Sequence, residues 1–350
     1  MSGIKRCFIS QVQPGMRLAR ALYMETGMVL LEEETILTDS LIRRLSLLGI
    51  QELFVFEERL FFPPVILQNE QNLFVEEHRK ITTSMAEAFY KARQFQCVPM
   101  CQISCLADQI IASLLSVPGV FSYLHIINSH DDYTFRHSVN VAVTAGVIGR
   151  CLGKSKETIK GLVIAGLLHD IGKARIPLEI LNKPDRLTEA EMAIMQKHSM
   201  FGYELLVGTD DMPGSIKTAI LQHHERSDGS GYPCKFKDTQ ISPMAKIIAV
   251  ADVYDAMTSH RVYQRALSPL VVRRELLKEM YGRLDSEACL ALIASTEKAL
   301  VGSLVELSDG AIAKVIYLND PLVQPIVQTI DGRCIELERQ KDLNIVDFIF

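Results

Sequence analysis

The spacing of apolar and polar residues divides the chain into three regions. Short runs such as "RLARALYM" and "GMVLL", followed by the helix-periodic stretch "TDSLIRRLSLLGI", predict a small α+β domain over residues 1–62. The paired prolines and polar tail of "FFPPVILQNEQN" predict a linker over 63–75. Apolar residues recur with helical spacing over 76–300, and the period returns to two over 301–350. We therefore predict a mainly α protein, in which an all-helical central domain lies between a small α+β N-terminal domain and a small β-rich C-terminal module.

Signals for the ends of elements agree with this division. Thr188 followed by Glu191 predicts a capping box at the start of a helix. In the C-terminal region, Asp-Gly pairs at 309–310 and 331–332 predict tight turns between strands. Periodicity and end signals therefore support the same assignment of helical and β-rich regions.

The composition limits the classes of function. The chain has 350 residues, of which 48% are apolar, and a formal net charge of −5. This charge argues against a broad basic surface for polymeric nucleic acid, so an anionic ligand would be held by a local group of cations or metals. No apolar run approaches the roughly 18 residues of a membrane span, and the start "MSGIKRCFIS" has no apolar signal core. We therefore expect a soluble, cytoplasmic protein without a membrane span.

The eight cysteines contain no CxxC pair and are expected to be reduced thiols. Cys97, Cys101 and Cys105 follow a spacing of four, which would place all three on one face of a helix. We expect them to be small buried apolar side chains. The sequence leaves a metal or redox site open at this position.

Histidine and aspartate residues recur at the ends of apolar helices in the central region, or interrupt them. Buried separately, these polar groups would be costly, whereas one two-metal centre would satisfy them together. Asp170 can serve both metals, because a carboxylate has two oxygens and can bridge two cations. The predicted ligands form a group of four and a group of three: His137, His169, Asp170 and Asp252, and then His198, His223 and His224.

These residues resemble the signature of a known family. The first group, with its His169-Asp170 pair, is similar to the HD phosphohydrolase superfamily. The second group and the stretch "HHERSDGSGYP" resemble the HD-GYP subgroup, which is named after the type of triplet found at residues 231–233. The segment "ADVYDAMTSHRVYQRAL" is similar to the family pattern ADxxDAxTSxRxY. The resemblance covers about residues 120–270 and implies an all-helical fold that holds divalent metals, usually iron or manganese.

The resemblance also implies an activity. HD-GYP domains are bacterial phosphodiesterases that open cyclic di-GMP to linear pGpG or continue to GMP, and their GYP loop docks diguanylate cyclases, the GGDEF proteins. The residues indicate the same reaction, because two metals with a bridging hydroxide supply a nucleophile at neutral pH and positive charge on the phosphoryl oxygens. We therefore expect a metal-dependent cyclic di-GMP phosphodiesterase that is regulated through residues 1–62.

Other residues are expected to act on the substrate or to support the ligands. Gly172 would let the chain turn so that Lys173 faces the centre and binds the scissile phosphate or the leaving oxygen. Arg261 matches the arginine of the family segment and is expected to hold the phosphate. Asp255 is expected to orient a histidine ligand or that arginine.

The glycine-rich "SDGSGYP" stretch is expected to form a loop over the pocket. Gly231 and Tyr232 are the predicted substrate-binding residues of this loop. Tyr232 would stack on a guanine or pack the loop, and the sequence leaves both roles open.

Three other functions stay open at this stage. The metal ligands determine the reaction but not the base, so the substrate could be another cyclic dinucleotide such as cyclic GMP-AMP. A mononucleotide phosphohydrolase is a second alternative, against which the long GYP loop argues. The third is a cyclic di-GMP receptor without turnover, which a missing ligand or lysine would have favoured. The sequence also leaves a homodimer open.

The number of bound metals is the first testable prediction. Some HD-GYP proteins carry a glutamate four residues before the position that matches His137, where it can reach an additional metal. This chain has Tyr133 there, a neutral phenol with a reference pKa of about 10, which is a poor ligand for a hard cation and is expected to line the pocket. Elemental analysis of freshly purified protein should therefore find two divalent metals per chain. A reproducible third metal at full occupancy would contradict this prediction.

Overall fold

The structure is a computed structural model. Its contacts divide the chain into two compact units, Met1–Leu73 and Phe74–Phe350. The residues that the structure describes are 3–12, 16, 18–23, 29–31, 33, 35, 37, 39–57, 65–115, 120–127, 133–209, 212–259, 266–318, 324–329, 331–340 and 342–349.

The first unit combines short strands with one helix, as the sequence predicts. Strand β1 (Gly3–Phe8) pairs with β4 (Glu52–Glu57), and β2 (Leu22–Tyr23) pairs with β3 (Val29–Leu31), in both cases antiparallel. Helix α1 (Asp39–Leu47) precedes β4. The core of this unit is a small apolar cluster that includes Leu18, Leu37, Leu45, Leu53 and Val55.

The second unit is mainly helical, which confirms the predicted fold class. Its helices are α2 (Val65–Phe95, which begins in the first unit), α3 (Met100–Gln109), α4 (Val120–Ile127), α5 (Tyr133–Cys151), α6 (Lys156–Leu168), α7 (Leu178–Leu181), α8 (Glu189–Met195), α9 (His198–Val207), α10 (Gly214–Gln222), α11 (Pro243–Thr258), α12 (Pro269–Glu279) and α13 (Ser286–Leu300). One apolar core joins most of them. The predicted capping box is present at α8, where the Thr188 side chain accepts from the Glu191 backbone and the Glu191 side chain accepts from the Thr188 backbone.

Helices α5 and α6 form the central pair of this core. A Cβ atom added to Gly166 would lie 2.5 Å from the Ala142 Cα, so glycine allows the two backbones to approach closely. His137 lies on α5, and His169 directly follows α6. The close packing of this pair therefore brings the first predicted ligands to one end of it.

Helix α2 extends through part of the predicted linker. It begins at Val65, inside the 63–75 range, and ends at Phe95. The helical region therefore starts with one long helix that is continuous from residue 65. The domain boundaries predicted at 62, 75 and 300 stay predictions.

The expectation that three buried thiols share one helix face was wrong. Cys97 lies before α3, and only Cys101 and Cys105 lie on that helix. All three cysteines are exposed, because periodicity alone does not say which face of a helix meets the core. The core side of α3 carries Ile103, Leu106 and Ala107.

The C-terminal region forms a five-stranded antiparallel sheet with the order β8-β7-β6-β5-β9. The strands are β5 (Leu304–Leu307), β6 (Ile312–Tyr317), β7 (Ile326–Thr329), β8 (Cys334–Glu336) and β9 (Ile345–Ile349). Gly310, with a φ of 83°, forms the predicted turn between β5 and β6. Alternate residues such as Val305, Val315 and Val327 point into an apolar cluster that also includes Leu300 of α13. In the part of the chain that the structure describes, no helix has the length and apolar character needed to cross a membrane.

Candidate metal centre

The seven predicted ligands converge from helix ends and helix faces of the second unit. His137 comes from α5 and Asp252 from α11. The other five lie where helices begin or end, since 169–170 follow α6, His198 begins α9 and 223–224 follow α10. Helix ends free these side chains from the crowded lateral packing of the bundle, so that they can meet at one point.

The first group surrounds the end of α6. His137 Nε2 lies 3.2 Å from His169 Nε2 and 3.2 Å from Asp252 Oδ1. His169 Nε2 lies 3.4 Å from Asp170 Oδ2. One potential ligand atom from each of His137, His169 and Asp170 lies within 4.8 Å of the others. The structure therefore brings together the four residues that the sequence assigns to one metal.

The second group consists of three histidines. His198 Nε2 lies 3.3 Å from His223 Nε2, and the His224 ring packs 4.1 Å from the His223 ring, measured between centroids. The three residues offer ligand atoms within 4.8 Å of one another. This arrangement also matches the group that the sequence predicts.

Both aspartates face the two groups at once. Asp170 presents Oδ2 to His169 and Oδ1 to His198, in each case at 3.4 Å. Asp252 presents Oδ1 to His137 at 3.2 Å and Oδ2 to His224 Nδ1 at 3.8 Å. The sequence assigned Asp170 as the bridge and placed Asp252 in the first group alone. The structure shows that Asp252 also extends between the groups.

The hydrogen bonds of the second group suit a divalent cation. The Nδ1 atoms of His198 and His223 lie 2.7 Å from the backbone oxygens of Met195 and Ile220, and because a carbonyl only accepts, each Nδ1 carries the proton. Burial, the main cause for each, lowers the pKa of both rings, so both are neutral and both Nε2 atoms carry lone pairs. Two lone pairs 3.3 Å apart repel each other. A cation bound between such nitrogens removes this repulsion, so the residues fit a metal.

The charged groups of the centre have strongly shifted pKa values. Burial raises the pKa of Asp170, but the Lys173 ammonium and His169 outweigh burial and hold it well below its usual range. The pKa of Asp252 is likewise held well below its usual range, because the hydrogen bond from His137 outweighs burial. Burial lowers the pKa of His224 to about 3. At neutral pH the two carboxylates are therefore ionised and His198, His223 and His224 are neutral, which are the forms that bind metals.

Lys173 lies beside the bridging carboxylate. Its Nζ is 2.6 Å from Asp170 Oδ2, and about a quarter of its side chain (25%) is exposed. It belongs to a 3₁₀ turn, Ile171–Arg175, that directly follows the ligand pair. The lysine therefore faces the centre, as the sequence predicts.

Gly172 is needed for a different reason from the one that the sequence suggested. Its φ is not among the positive values. A Cβ atom at this position would lie 1.9 Å from the His198 backbone oxygen and 2.4 Å from the Gly202 nitrogen. The absence of a side chain therefore lets the turn that carries Lys173 pack against the start of α9.

Asp255 hydrogen-bonds to the predicted ligand His137. Of the two roles predicted for Asp255, this contact fits the orientation of a histidine. Asp255 Oδ2 accepts a hydrogen bond of 2.6 Å from His137 Nδ1. Its Oδ1 accepts from Asn140 Nδ2 at 2.7 Å and from Ser259 Oγ at 3.2 Å. Asn140 was not identified from the sequence, although a polar residue one turn after His137 on an apolar helix was a signal for it.

The GYP loop packs against the second group. A Cβ atom at Gly231 would lie 2.4 Å from the His224 backbone oxygen, so the buried glycine allows the loop to close on the ligand pair. The Tyr232 ring stacks on the His224 ring at 4.5 Å, with an angle of 29° between the planes. The structure supports the packing role of Tyr232, while substrate contacts of both residues stay predictions.

Glu225 holds this loop and was not identified from the sequence. It is 2% exposed, and its carboxylate accepts hydrogen bonds from the backbone nitrogens of Cys234 (2.6 Å) and Phe236 (2.9 Å). In the sequence, the signal for Glu225 was its position directly after the two predicted ligands His223 and His224. Glu225 therefore links the end of the histidine pair to the far side of the loop.

Two predicted residues cannot be placed in this centre. Arg261, the predicted phosphate ligand, lies outside the described residues. Tyr133 is the first residue of α5, one turn before His137, but its side chain lies outside the described part of the structure. Its predicted place in the pocket stays a prediction.

Proton release on metal binding is a second testable prediction. Burial lowers the pKa of His137, but hydrogen bonds with Asp252 and Asp255 outweigh burial and raise it to about 9. His137 Nδ1 keeps the proton that it donates to Asp255, so a cation at Nε2 displaces the other proton. Below this pKa, Mn²⁺ binding to metal-free protein should release about one proton per chain, and the apparent affinity should rise with pH until the pKa is passed.

Binding heats measured in two buffers of different ionisation enthalpy count the released protons. The part of the release that comes from His137 should disappear above its pKa, so the total should fall by about one proton per chain, whereas a proton given up by metal-bound water is released on both sides of it. A release that stays constant across this range would contradict the assignment.

Loss of the bridging carboxylate gives a third prediction. Asp170→Ala removes oxygens that face both groups, so both metals should be lost while the helical circular dichroism of the protein stays unchanged. Asp108→Ala is a matched control, since Asp108 forms an exposed ion pair with Lys160 at 2.7 Å and should keep full metal content. Normal metal content in Asp170→Ala would show that the carboxylate does not bridge.

Comparison with known proteins places the chain in a family. Residues 123–287 match the HD domain family. The chain is 34% identical over 244 residues to a cyclic di-GMP phosphodiesterase of Pseudomonas aeruginosa, covering 68% of this chain and 59% of that protein. It is 33% identical over 186 residues to a 3'3'-cGAMP-specific phosphodiesterase of Vibrio cholerae, covering 52% of this chain and 42% of that protein. The chain thus spans less than two thirds of the length of either relative.

A solved structure shows the same fold. Bd1817, an HDG"Y"P protein from Bdellovibrio bacteriovorus, superposes with a TM-score of 0.50 at 14% identity, over 83% of this chain and 99% of that one. The helical fold agrees with these comparisons. The chain belongs to the HD domain family and is of the HD-GYP type.

Proposed function

We propose that this chain is a metal-dependent phosphodiesterase that hydrolyses cyclic di-GMP. The observation that carries the proposal is the pair of buried aspartates, Asp170 and Asp252, each with one oxygen towards each ligand group. Such a double bridge suits two divalent cations held close together, the arrangement used for displacement at phosphorus. The relative in Pseudomonas aeruginosa, which bears the name of this activity, supports the choice of substrate.

The donor set supports iron or manganese as the metals. The first group offers imidazole nitrogens and carboxylate oxygens, and the second offers three imidazoles that Asp170 and Asp252 face. These donors suit intermediate and hard divalent cations better than thiophilic ones. The first cation would be held by His137, His169 and the two aspartates, and the second by the three histidines and the same two aspartates. When bound, the two cations supply positive charge for the phosphoryl oxygens and a nucleophile that is deprotonated at neutral pH.

Lys173 would act on the phosphate directly. Its ammonium lies against Asp170 and its side chain is partly exposed, so it can donate to an anionic oxygen brought next to that carboxylate. It would stabilise the non-bridging oxygens of the scissile phosphate or the charge that develops on the leaving oxygen. Arg261 would hold the same phosphate as a second cation.

The GYP loop would hold the second ligand group in place and contact the substrate at its edge. Tyr232 stacks on His224, and burial raises the pKa of its phenol, which therefore stays a neutral hydrogen-bond donor. Asp228, Ser230 and Lys235 of the same loop are exposed. This exposed part of the loop is where we place docking of a diguanylate cyclase, and residues 1–62 would carry the regulatory input.

A second substrate, 3'3'-cGAMP, is favoured by one specific observation. The Vibrio cholerae relative with that specificity is almost as similar over the matched region as the cyclic di-GMP enzyme, at 33% against 34% identity. The ligands and Lys173 act on the phosphate and do not distinguish the bases. Both substrates therefore need to be compared directly.

The test is turnover by Mn²⁺-loaded and Fe²⁺-loaded protein. Cyclic di-GMP and 3'3'-cGAMP are followed separately by chromatography, which also separates pGpG from GMP. The proposal expects metal-dependent loss of cyclic di-GMP with a higher kcat/KM than for 3'3'-cGAMP. A higher kcat/KM for 3'3'-cGAMP would reassign the substrate, and tight binding without turnover of either would indicate a receptor.

Lys173 provides the fourth testable prediction. Lys173→Ala should lower kcat on the order of 100-fold or more, because a preorganised charge at the reacting group is lost, while metal content stays nearly unchanged. Lys160→Ala is the matched control, since Lys160 also pairs with an aspartate but on the outer side of α6. Unchanged kinetics in Lys173→Ala would mean that the lysine only neutralises Asp170.

A further inference from the structure

A buried chain of polar side chains connects the metal ligand His137 to helix α2. His137 Nδ1 lies 2.6 Å from Asp255, Asn140 Nδ2 lies 2.7 Å from the other oxygen of Asp255, and Asn140 Oδ1 lies 2.8 Å from His78 Nε2. His78 is 2% exposed and Asn140 is 1% exposed. Buried polar groups are costly unless they are paired, so the pairing in this chain is under strong constraint.

The direction of each hydrogen bond is determined by the carboxylate. Asp255 only accepts, so Asn140 must direct its NH₂ group towards it, and the amide oxygen of Asn140 then points to His78. Because that oxygen also only accepts, His78 must donate through Nε2. His78 therefore satisfies the amide oxygen of Asn140 in the orientation that Asp255 requires, and Asn140 in turn helps to hold Asp255 in place.

His78 is suited to a permanent donor role. Burial, with a further contribution from Arg136, lowers its pKa to about 4. Its ring stays neutral through the physiological range, with the proton on Nε2. The Phe74 ring stacks 6.3 Å from it on the same helix, and Thr82 Oγ1 lies 3.4 Å from its Nδ1. The imidazole is therefore held on both sides.

We propose that His78 is a positioning residue for the metal centre, acting through Asn140 and Asp255 to keep Nε2 of His137 directed at the first cation. This inference rests on the proposed metal centre. His78 does not contact a ligand itself. Its role is to hold the amide of Asn140 in the orientation that lets Asp255 accept the Nδ1 proton of His137, which leaves Nε2 for the metal.

Loss of the His78 donor would disturb this arrangement. Asn140 Oδ1 would lose the N–H donor of His78 in the interior, which favours a shift of the Asn140 side chain from its present position. Such a shift would lengthen the hydrogen bond from Asn140 Nδ2 to Asp255, and Asp255 would hold His137 less firmly. The first metal should bind more weakly, although every residue of the ligand set is still present.

Three variants of the full chain separate this role from simple stability. His78→Leu removes the N–H donor and puts an apolar side chain of similar size in place of the imidazole. His78→Gln keeps an N–H donor at nearly the same reach. Ile81→Ala is the control, since Ile81 is a fully buried residue of α2 whose truncation destabilises the same helix without touching the polar chain.

The main measurement is Mn²⁺ affinity by titration calorimetry of metal-free protein, together with the free energy of unfolding in urea. His78→Leu should lower the affinity of one metal on the order of 10- to 100-fold, as for other residues that orient a ligand. His78→Gln should bind close to wild type. Ile81→Ala should bind normally although it unfolds more easily.

Turnover of cyclic di-GMP is the second readout. Excess Mn²⁺ should restore most of the kcat lost in His78→Leu, with KM for the nucleotide nearly unchanged. Normal Mn²⁺ affinity in His78→Leu would overturn the proposal, and so would a His78→Gln variant that is as weak as His78→Leu. If the wild type binds two metals but hydrolyses no cyclic dinucleotide, the proposed function fails while the affinity comparison still decides the role of His78.

Discussion

The central constraint in this protein is that lone pairs and carboxylates face one another inside an apolar helical core. His198 and His223 present bare nitrogens 3.3 Å apart, and Asp170 and Asp252 approach both ligand groups. Such an arrangement is unfavourable by itself, because like partial charges meet where water cannot separate them. Two divalent cations would turn the same arrangement into a favourable one. The fold holds the groups ready for that charge, and much of the surrounding structure serves this purpose.

Four of the five predicted histidine ligands follow one rule, in which one ring nitrogen holds a proton and leaves the other for a metal. Backbone oxygens of Gly166, Met195 and Ile220 hold that proton for three of these histidines, in each case three residues before the ring. His137 lies in the second turn of α5, where helical hydrogen bonds use the nearby carbonyls. It uses Asp255 instead, and this carboxylate needs its own partners, which extend the support to Asn140 and His78.

The GYP loop has a different role, because His224 is the histidine of the second group that is not fully buried. His224 keeps about a fifth of its side chain exposed, at 19%. The Tyr232 ring covers it by stacking, Gly231 allows the backbone to approach, and Glu225 closes the loop with two short backbone hydrogen bonds. The loop therefore shields a ligand on one side while leaving exposed polar residues on the other.

Much of the centre could be predicted from the sequence because several of its ligands are neighbours in the chain. The His169-Asp170 and His223-His224 pairs are adjacent in the chain, and polar ligands at the ends of apolar helices stand out against the helical period. The same period predicted the helical centre, and alternation predicted the C-terminal strands, since both patterns depend only on neighbouring residues. Asp255 was recognisable because it belongs to the segment that resembles the family pattern ADxxDAxTSxRxY.

Other features depend on contacts between residues far apart in the chain, which no local pattern records. His78 is 62 residues from Asn140. Nothing near His78 in the sequence indicates that it contacts a residue that helps to hold a metal ligand. Asp252 reaches both groups only because α11 crosses between α5 and the end of α10. The spacing of four placed Cys101 and Cys105 on α3, but Cys97 lies before that helix, and packing decided that these cysteines meet solvent. Gly172 was expected to supply a turn, whereas the close approach of α9 explains its lack of a side chain. The sequence determined which groups are available, and the tertiary structure decided which of them meet.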